Sequence, residues 1–327
     1  MYVFNVVVST KVYVKSEFDF IHSLRRRSPA SLIGDDCAVL PKDAATDLLI
    51  TADMLIEDID FRLDWTKPEF LGHKALAVSL SDIAAMGGRP IWAMLSIGVP
   101  ETIWKSDFVD RFYNGWFELA AECGVELVGG DLSRAPDKLV IDSIVGGEVA
   151  KGRAIRRSGT KIGDRIFVSG SLGGAAGGLK LLESGERLNA EMTTSSDLLI
   201  IKQLKPCAQL AVSNILQTLQ LATSMIDLSD GLSSDLAHIC SESHVGAIIQ
   251  AEKVPVDDDL QRVFGTDTAF DLALHGGEDF ALLFTVSPEN SRDVPGACIG
   301  EITESGIDIV DGDGTRPLEP LGFQHFN

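Results

Sequence analysis

A stretch of almost wholly apolar and small side chains, residues 71–86, carries a single acidic residue, Asp82. Its periodicity, followed from Pro68 to Met86, predicts a helix. A carboxylate in such a segment is expected to be at least partly buried, and an unpaired buried carboxylate is costly. The fold must therefore supply Asp82 with a hydrogen-bond donor, a cation or a metal ion.

Length and composition predict one large or two ordinary domains, because the chain has 327 residues, 45% hydrophobic and 23% charged. The 28 basic and 48 acidic residues give a net charge of −20, which argues against nucleic-acid binding and against an anionic membrane surface. No apolar run predicts a transmembrane span, and no signal peptide is expected. Five scattered cysteines without a CxxC pair favour a reducing compartment, so we expect a cytoplasmic protein.

Strands and helices alternate irregularly along the chain, which predicts a mixed α+β fold. Short apolar runs predict strands at residues 47–51, 91–97, 126–128, 139–145, 165–169 and 281–286. Helical periodicity is clearest at residues 68–86, 107–123, 178–183 and 232–242. A basic, glycine-containing stretch at residues 151–165 predicts a boundary between domains 1–150 and 151–327. Six glycine pairs punctuate the chain, and we expect most of them to be turns.

Acidic residues recur beside glycines or at the ends of apolar segments: Asp35, Asp36, Asp53, Asp82, Asp131, Asp227, Asp230, Glu278 and Asp279. Any one of them could be a helix cap or a hydrogen-bonded core residue. Six or more such positions in one chain favour a shared function.

The sequence Asp227-Leu-Ser229-Asp230-Gly231 follows an apolar strand and predicts a strand-to-helix turn, with Ser229 or Asp230 as the helix cap. Backbone N–H groups at such a turn favour an anion, and its carboxylates suit Mg²⁺, which takes oxygen ligands. Phosphate together with Mg²⁺ explains the pattern more economically than either alone.

Familiar catalytic motifs are missing: the sequence holds no GxxxxGK[ST] loop, no GxGxxG after a strand, no HExxH and no GxSxG. Cys37 follows two aspartates, whose charge would raise its pKa and make it a poor nucleophile. Arg153, Arg156 and Arg157 stand out in an acidic chain, and either one of them reaches a phosphate or all lie on the surface.

Seven motifs resemble, in order and spacing, those of the thiamine-monophosphate kinase family: IGDDCAVL, ITADML, LGHKALAVSLSDIAAMGG, VGGDLSR, GRAIRRSG, IDLSDGLSSDL and HGGEDFALLF. The resemblance extends from about residue 17 to the end of the chain. Looser forms of the motifs occur across the wider aminoimidazole-ribonucleotide-synthetase-like superfamily. The resemblance implies two α/β domains of that type, a homodimer formed through the N-terminal sheet, and phosphorylation of thiamine monophosphate by ATP with several Mg²⁺ ions.

Matching motif positions carry the family's site residues onto this chain. The implied Mg²⁺ ligands are Asp36, Thr51, Ala52, Asp53, Asp82, Asp131, Asp227 and Asp230. The implied ATP contacts are Gly130, Asp131, Arg157 and Ser229, of which Asp131 and Arg157 would be catalytic. The implied contacts to thiamine monophosphate are Asp60, Glu278 and Phe323.

Three departures from the family pattern matter. Ala52 replaces a hydroxyl residue, so that only its backbone carbonyl could contact a metal. Asp60 replaces a histidine near the substrate, which puts substrate affinity in question. Leu132-Ser133 replaces two threonines, a change that Asp131 should tolerate. The first fifteen residues match nothing in the family.

The implied chemistry agrees with the residues present. The acceptor is an anionic phosphate oxygen, so no strong general base is needed, and metal ions held by carboxylates can align two polyanions. The alternatives are another ATP-using superfamily member, such as a selenophosphate synthetase, an aminoimidazole ribonucleotide synthetase or a hydrogenase-maturation dehydratase, and a non-catalytic ATP–Mg²⁺ binding protein.

Overall fold

The apolar segment forms helix α1 (Pro68–Ala85), around which the N-terminal half of the chain is built. The structure is a computed structural model that describes residue 32 and residues 34–323. Pro68 stands in the first turn, where its missing N–H group is not needed. Almost every side chain from Leu71 to Ala85 is buried, because the helix has no polar face and is enclosed by neighbouring elements on all sides.

The N-terminal sheet has five strands in the order β1-β2-β5-β3-β4. They are β1 (Ala38–Pro41), β2 (Thr46–Ile56), β3 (Arg89–Val99), β4 (Glu126–Arg134) and β5 (Val140–Ala150). Strands β3 and β4 run parallel, and the other neighbours are antiparallel. Helices α2 (Glu101–Trp104) and α3 (Phe108–Cys123) connect β3 to β4.

Two glycines let α1 and α3 pack with their backbones in contact. A Cβ atom added at Gly72 would lie 1.9 Å from the Phe112 carbonyl oxygen, and one added at Gly115 would lie 1.9 Å from the Glu69 carbonyl oxygen. No other residue type fits at either position without moving a helix. The crossing therefore fixes where α1 lies over the sheet.

The C-terminal sheet has seven strands in the order β12-β11-β8-β10-β6-β9-β7. They are β6 (Arg165–Val168), β7 (Ala222–Asp227), β8 (Gly246–Gln250), β9 (Leu282–Val286), β10 (Ala297–Thr303), β11 (Ile307–Asp311) and β12 (Gly314–Pro317). Its helices are α4 (Gly174–Glu183), α5 (Ser195–Leu204), α6 (Leu210–Thr218), α7 (Leu232–Ser243), α8 (Asp258–Phe264) and α9 (Thr266–His275).

The two halves share a buried contact at the end of α1. Ala84 and Ala85 pack with Phe167, Met225 and Phe284 of the C-terminal sheet in one apolar cluster. Residues Asp35–Phe323 accordingly form one unit by their contacts. Within the part of the chain that the structure describes, no helix has the length and apolar composition needed to cross a membrane.

The predicted α+β fold is confirmed, and α1 ends within one residue of its predicted boundary. Most of the glycine pairs were expected to be turns, and Gly129-Gly130 and Gly146-Gly147 are exceptions that lie inside β4 and β5. A Cβ atom at Gly130 would lie 1.9 Å from the Leu95 carbonyl oxygen, and one at Gly146 would lie 2.1 Å from the Trp92 ring. These glycines allow close approach within the sheet instead of reversing the chain.

Candidate active site

Four carboxylates converge where the last turns of α1 meet strand β7. Asp36 precedes β1, Asp53 lies on β2, Asp82 lies on α1, and Asp227 ends β7. Oxygen atoms of Asp36, Asp82 and Asp227 lie within 4.8 Å of one another. The fold therefore assembles these side chains, which we call the carboxylate cluster, from four segments distant in sequence.

Hydroxyl groups hold two of the four carboxylates. The Thr51 hydroxyl donates a hydrogen bond to Asp82, and the Ser81 hydroxyl donates one to Asp227 at 2.6 Å. Thr51 and Ser81 are themselves buried. Asp82, whose position in an apolar helix demanded a partner, thus receives one from the neighbouring strand β2.

Arg157 supplies positive charge to the carboxylate cluster. Its guanidinium donates to Asp36 Oδ1 at 2.7 Å, and its backbone N–H donates to Asp35 Oδ1 at 3.1 Å. Burial lowers the pKa of the Arg157 guanidinium, but the carboxylates of Asp36, Asp227 and Asp82 together raise it by more, so that it is above its ordinary value. Arg156 pairs with Asp35 instead, so the two neighbouring arginines point to different partners.

Burial and mutual repulsion hold protons on Asp53, Asp82 and Asp227 when no cation is bound. Burial raises the pKa of Asp227 to about 7, with a further contribution from the Asp36 carboxylate. Burial likewise raises the pKa of Asp53 to about 6. The pKa of Asp82 is raised well above its ordinary value by burial and by the charges of Asp53 and Asp227. Four carboxylates that repel one another in this way form a site that favours a cation.

Two oxygen atoms in the cluster lack a partner. Asp36 Oδ2 and Asp53 Oδ2 are both buried and make no hydrogen bond with any residue that the structure describes. A set of carboxylate oxygens of this kind fits a hard divalent cation such as Mg²⁺. Burial, followed by the charge of Asp82, raises the pKa of the Cys37 thiol well above its ordinary value, which agrees with the prediction that this cysteine is a poor nucleophile.

A second acidic group lies in the turn after β7. Oxygen atoms of Asp230 and Asp235 lie within 4.8 Å of a His238 ring nitrogen. The prediction that Ser229 or Asp230 caps the following helix is wrong, because Gly231 is the N-cap residue and makes no side-chain cap. The Asp235 carboxylate accepts hydrogen bonds from the backbone N–H groups of Asp230 (3.2 Å) and Gly231 (3.1 Å) instead.

Two predicted metal ligands lie on the opposite face of the N-terminal sheet from Asp53. Side chains alternate between faces along β2, so Ala52 does not share the face of Asp53. Asp131 on β4 lies beside Ser96 on β3, and the same row of residues continues across β5 to Met54 on β2. Asp131 therefore lies on the same face of the sheet as Ala52. Asp131 is exposed there and accepts a hydrogen bond from the Ser133 hydroxyl at 2.7 Å. Their roles stay predictions.

Two of the three residues predicted to contact the substrate, Glu278 and Phe323, lie in loops around the turn after β7. The backbone N–H of Glu278 donates to the Ser229 carbonyl at 2.8 Å, and that of Phe323 donates to the Asp230 carbonyl at 3.2 Å. Glu278, Ser229 and Phe323 are thus brought close to the same turn. Asp60 lies in the turn after β2, where its carboxylate accepts a backbone N–H at 2.7 Å.

Sequence reasoning missed three polar residues of α1 that act on acidic groups. Ser81 bonds to Asp227, the Ser79 hydroxyl lowers the pKa of Asp53 against the larger effect of burial, and Lys74 pairs with Glu278. The sequence did carry a signal for these residues, because a polar side chain in a helix buried on all sides needs a partner from another element.

The family models for the AIR synthase related protein match the two halves of the chain. The N-terminal domain model matches residues 34–151, and the C-terminal domain model matches residues 161–310. Thiamine-monophosphate kinase from Escherichia coli (strain K12) is 38% identical over 90% of this chain and 91% of its own length. The Bacillus subtilis (strain 168) enzyme is 35% identical over 95% of this chain and 99% of its own length.

Solved structures show the same relationship. A structure described as "AaThiL complexed with AMPPCP and TMP" superposes with a TM-score of 0.86 at 33% identity, covering 95% of this chain and 97% of the other. Thiamine-monophosphate kinase from Stenotrophomonas maltophilia K279a superposes with a TM-score of 0.74 at 36% identity, covering 85% and 89%. With both domain models, the sequence identities and the superposed folds in agreement, the chain belongs to the thiamine-monophosphate kinase family of AIR synthase related proteins.

Proposed function

We propose that this protein transfers the γ-phosphoryl group of ATP to thiamine monophosphate, giving thiamine diphosphate and ADP. The observation that carries the proposal is the carboxylate cluster, with its two unpartnered buried oxygens and Arg157 beside them, in a chain whose relatives are named for this reaction. The alternatives within the superfamily lack comparable support, because the relatives named here at 35–38% identity are thiamine-monophosphate kinases.

Asp36, Asp53, Asp82 and Asp227 would hold Mg²⁺, and Thr51 and Ser81 would keep their carboxylates oriented. When bound, the ions supply positive charge that neutralises and aligns the two polyanionic substrates. Outer hydrogen-bond partners of this kind commonly change metal affinity 10–100-fold when they are removed. Thr51, Ala52, Asp131 and Asp230 complete the proposed metal set through the family resemblance.

The remaining chemistry falls to the chain's own side chains. The acceptor oxygen is already anionic at neutral pH, so the site needs no general base. Arg157, which Asp36 holds in place, would stabilise charge on the transferred group. Gly130, Asp131 and Ser229 would contact ATP, and Asp60, Glu278 and Phe323 would contact thiamine monophosphate, with Asp131 and Arg157 catalytic.

The proposal extends to the organisation and location of the protein. We propose domains 1–150 and 151–327, a homodimer formed through the N-terminal sheet, and a cytoplasmic location without nucleic-acid or membrane partners. The exposed side chains of Met54, Met94 and Val128 on that sheet support the dimer. The net charge of −20 supports the absence of nucleic-acid and membrane partners, and the five scattered cysteines support the cytoplasmic location.

The test measures ADP release from ATP and Mg²⁺ with thiamine monophosphate, thiamine or no acceptor. We expect ADP release to require thiamine monophosphate, because the site must align two phosphates. ATP binding without release of ADP in any of the three reactions would overturn the proposal and favour a non-catalytic ATP–Mg²⁺ binding protein. Release with thiamine alone would point to a hydroxyl acceptor.

A further inference from the structure

A partly buried ion pair crosses from α1 to the loop that carries Glu278. The Lys74 ammonium lies 2.8 Å from Glu278 Oε1 and 2.9 Å from Glu278 Oε2, so it donates to both carboxylate oxygens. The side-chain amide of Gln203, on α5, also donates to Glu278 Oε2. The Lys74 ammonium further lies 3.4 Å from the Gln203 backbone carbonyl. Three separate elements therefore meet at one carboxylate.

The three side chains differ in exposure. The side chain of Lys74 is 4% exposed and that of Glu278 is 29% exposed, whereas Gln203 is 5% exposed. The lysine and the glutamine thus lie behind the glutamate, whose remaining surface is open to a ligand. A structural ion pair would gain nothing from this arrangement over a well-packed apolar contact.

The loop around Glu278 is held in a conformation that non-glycine residues rarely adopt. The φ angles are 66° at Glu278 and 48° at Phe280, which are costly for residues with a Cβ atom. The backbone N–H of Phe280 donates to the Leu228 carbonyl at 2.9 Å. The Asp279 carboxylate accepts from the backbone N–H of Gly173 at 2.6 Å. Strained conformations persist only when the surroundings hold them, and they concentrate at functional sites.

We propose that Lys74 and Gln203 are positioning residues that act through Glu278 and set the affinity for thiamine monophosphate. This inference rests on the proposed function, in which Glu278 contacts that substrate. Thiamine monophosphate carries a cationic thiazolium ring and an aminopyrimidine donor group, both of which suit a carboxylate partner. Lys74 and Gln203 fix the direction of the Glu278 oxygens, so that the substrate does not have to order this side chain on binding.

The test is a double-mutant cycle. Lys74→Met and Gln203→Leu are each made in the native chain and in a Glu278→Gln background, and KM is measured for thiamine monophosphate and for ATP. We expect each single variant to raise KM for thiamine monophosphate about tenfold, as loss of a hydrogen bond to a charged group commonly does, with KM for ATP changed less than twofold. In the Glu278→Gln background the same changes should have little further effect, because they act through that carboxylate.

Gln203→Leu keeps the proposal testable if Lys74→Met fails to fold. Gln203 Oε1 is buried and makes no hydrogen bond with a described residue, so leucine removes an unsatisfied group along with the hydrogen bond to Glu278, and the melting temperature should change little. Lys202→Met is the matched control, because Lys202 on the same helix pairs with the buried carboxylate of Asp257. We expect it to leave both KM values unchanged.

Two results would overturn the inference. One is an equal rise of both KM values in step with a lower melting temperature, which is what a purely structural role predicts. The other is a loss of kcat with unchanged KM that persists in the Glu278→Gln background, which would make Lys74 act directly. Failure of the proposed function is distinguishable, because the native chain itself would then form no thiamine diphosphate.

Discussion

At the scale of single residues, the carboxylate cluster is unfavourable without a cation. Asp36, Asp82 and Asp227 place oxygens within 4.8 Å of one another, and Arg157 pairs with Asp36. Groups selected for stability alone would not be arranged in this way, since one cation among buried carboxylates leaves negative charge uncompensated. The arrangement has a measurable consequence at each acidic position.

Replacing Asp227 by Asn should separate activity from stability. The change removes repulsion from its neighbours, so the melting temperature without metal should stay the same or rise, while kcat/KM should fall at least ~100-fold because a metal ligand is lost. Thermal unfolding in EDTA and steady-state kinetics measure the two effects. Asp313→Asn, in an exposed turn, is the control and should change neither. Near-normal activity in Asp227→Asn would contradict the assignment.

At the scale of elements, the crossing of α1 and α3 positions the site. Helix α1 carries Lys74, Ser81 and Asp82, and its placement depends on the backbone contact at Gly115. A displacement of the helix would move all three side chains relative to the segments that carry the other carboxylates. The element therefore contributes to the site through packing as well as through its side chains.

Gly115→Ala should destabilise the protein and weaken activity together. The new Cβ atom would lie 1.9 Å from the Glu69 carbonyl oxygen, and overpacking of this kind typically costs about 1–3 kcal/mol. Urea unfolding measures the loss in the free energy of unfolding. Gly312→Ala is the matched control, because nothing lies within 4 Å of its added Cβ atom. Equal stability of the two variants would show that the crossing tolerates a methyl group.

The elements differ in how far the sequence could predict them. Helix α1 was predicted to within one residue because its apolar character is continuous, whereas β4 was predicted as residues 126–128 and extends to Arg134. Its exposed, glycine-containing second half lacks the apolar pattern that identifies a strand. The carboxylate motifs were visible one by one, but which of them meet depends on contacts between distant segments. Helix α5, with Gln203, was missed although Thr194 and Asp197 form a capping box at its start, which is a local signal.

At the scale of the whole molecule, pH and Mg²⁺ should act on stability through the same groups. Burial raises the pKa of Asp227 and of Asp279 to about 7 and that of Asp53 to about 6, against about 3.9 in an unfolded chain. Between about pH 4 and pH 7 the folded protein retains protons that the unfolded chain has released, so its stability falls as pH rises. Hydrogen bonds lower the pKa of Asp197 to about 2. The stability that Asp197 contributes therefore rises with pH below pH 4 and is already complete in this window.

The melting temperature in EDTA should therefore fall from pH 5 to pH 7. Each retained proton lowers the free energy of unfolding by about 1.4 kcal/mol per pH unit in this range. Mg²⁺ should raise the melting temperature more at pH 8 than at pH 5, because a cation competes with protons for Asp53 and Asp227. Differential scanning fluorimetry across this range measures both trends. A melting temperature in EDTA that rises toward pH 7, or a Mg²⁺ shift independent of pH, would contradict this explanation.

The most direct test of the proposed kinase is the ratio of thiamine diphosphate to ADP formed by the native chain, both measured by chromatography. We predict a ratio of one to one with ATP, thiamine monophosphate and Mg²⁺, and no product in EDTA, because the carboxylate cluster needs a cation to align two phosphates. ADP formed without thiamine diphosphate, or thiamine diphosphate formed in EDTA, would contradict it.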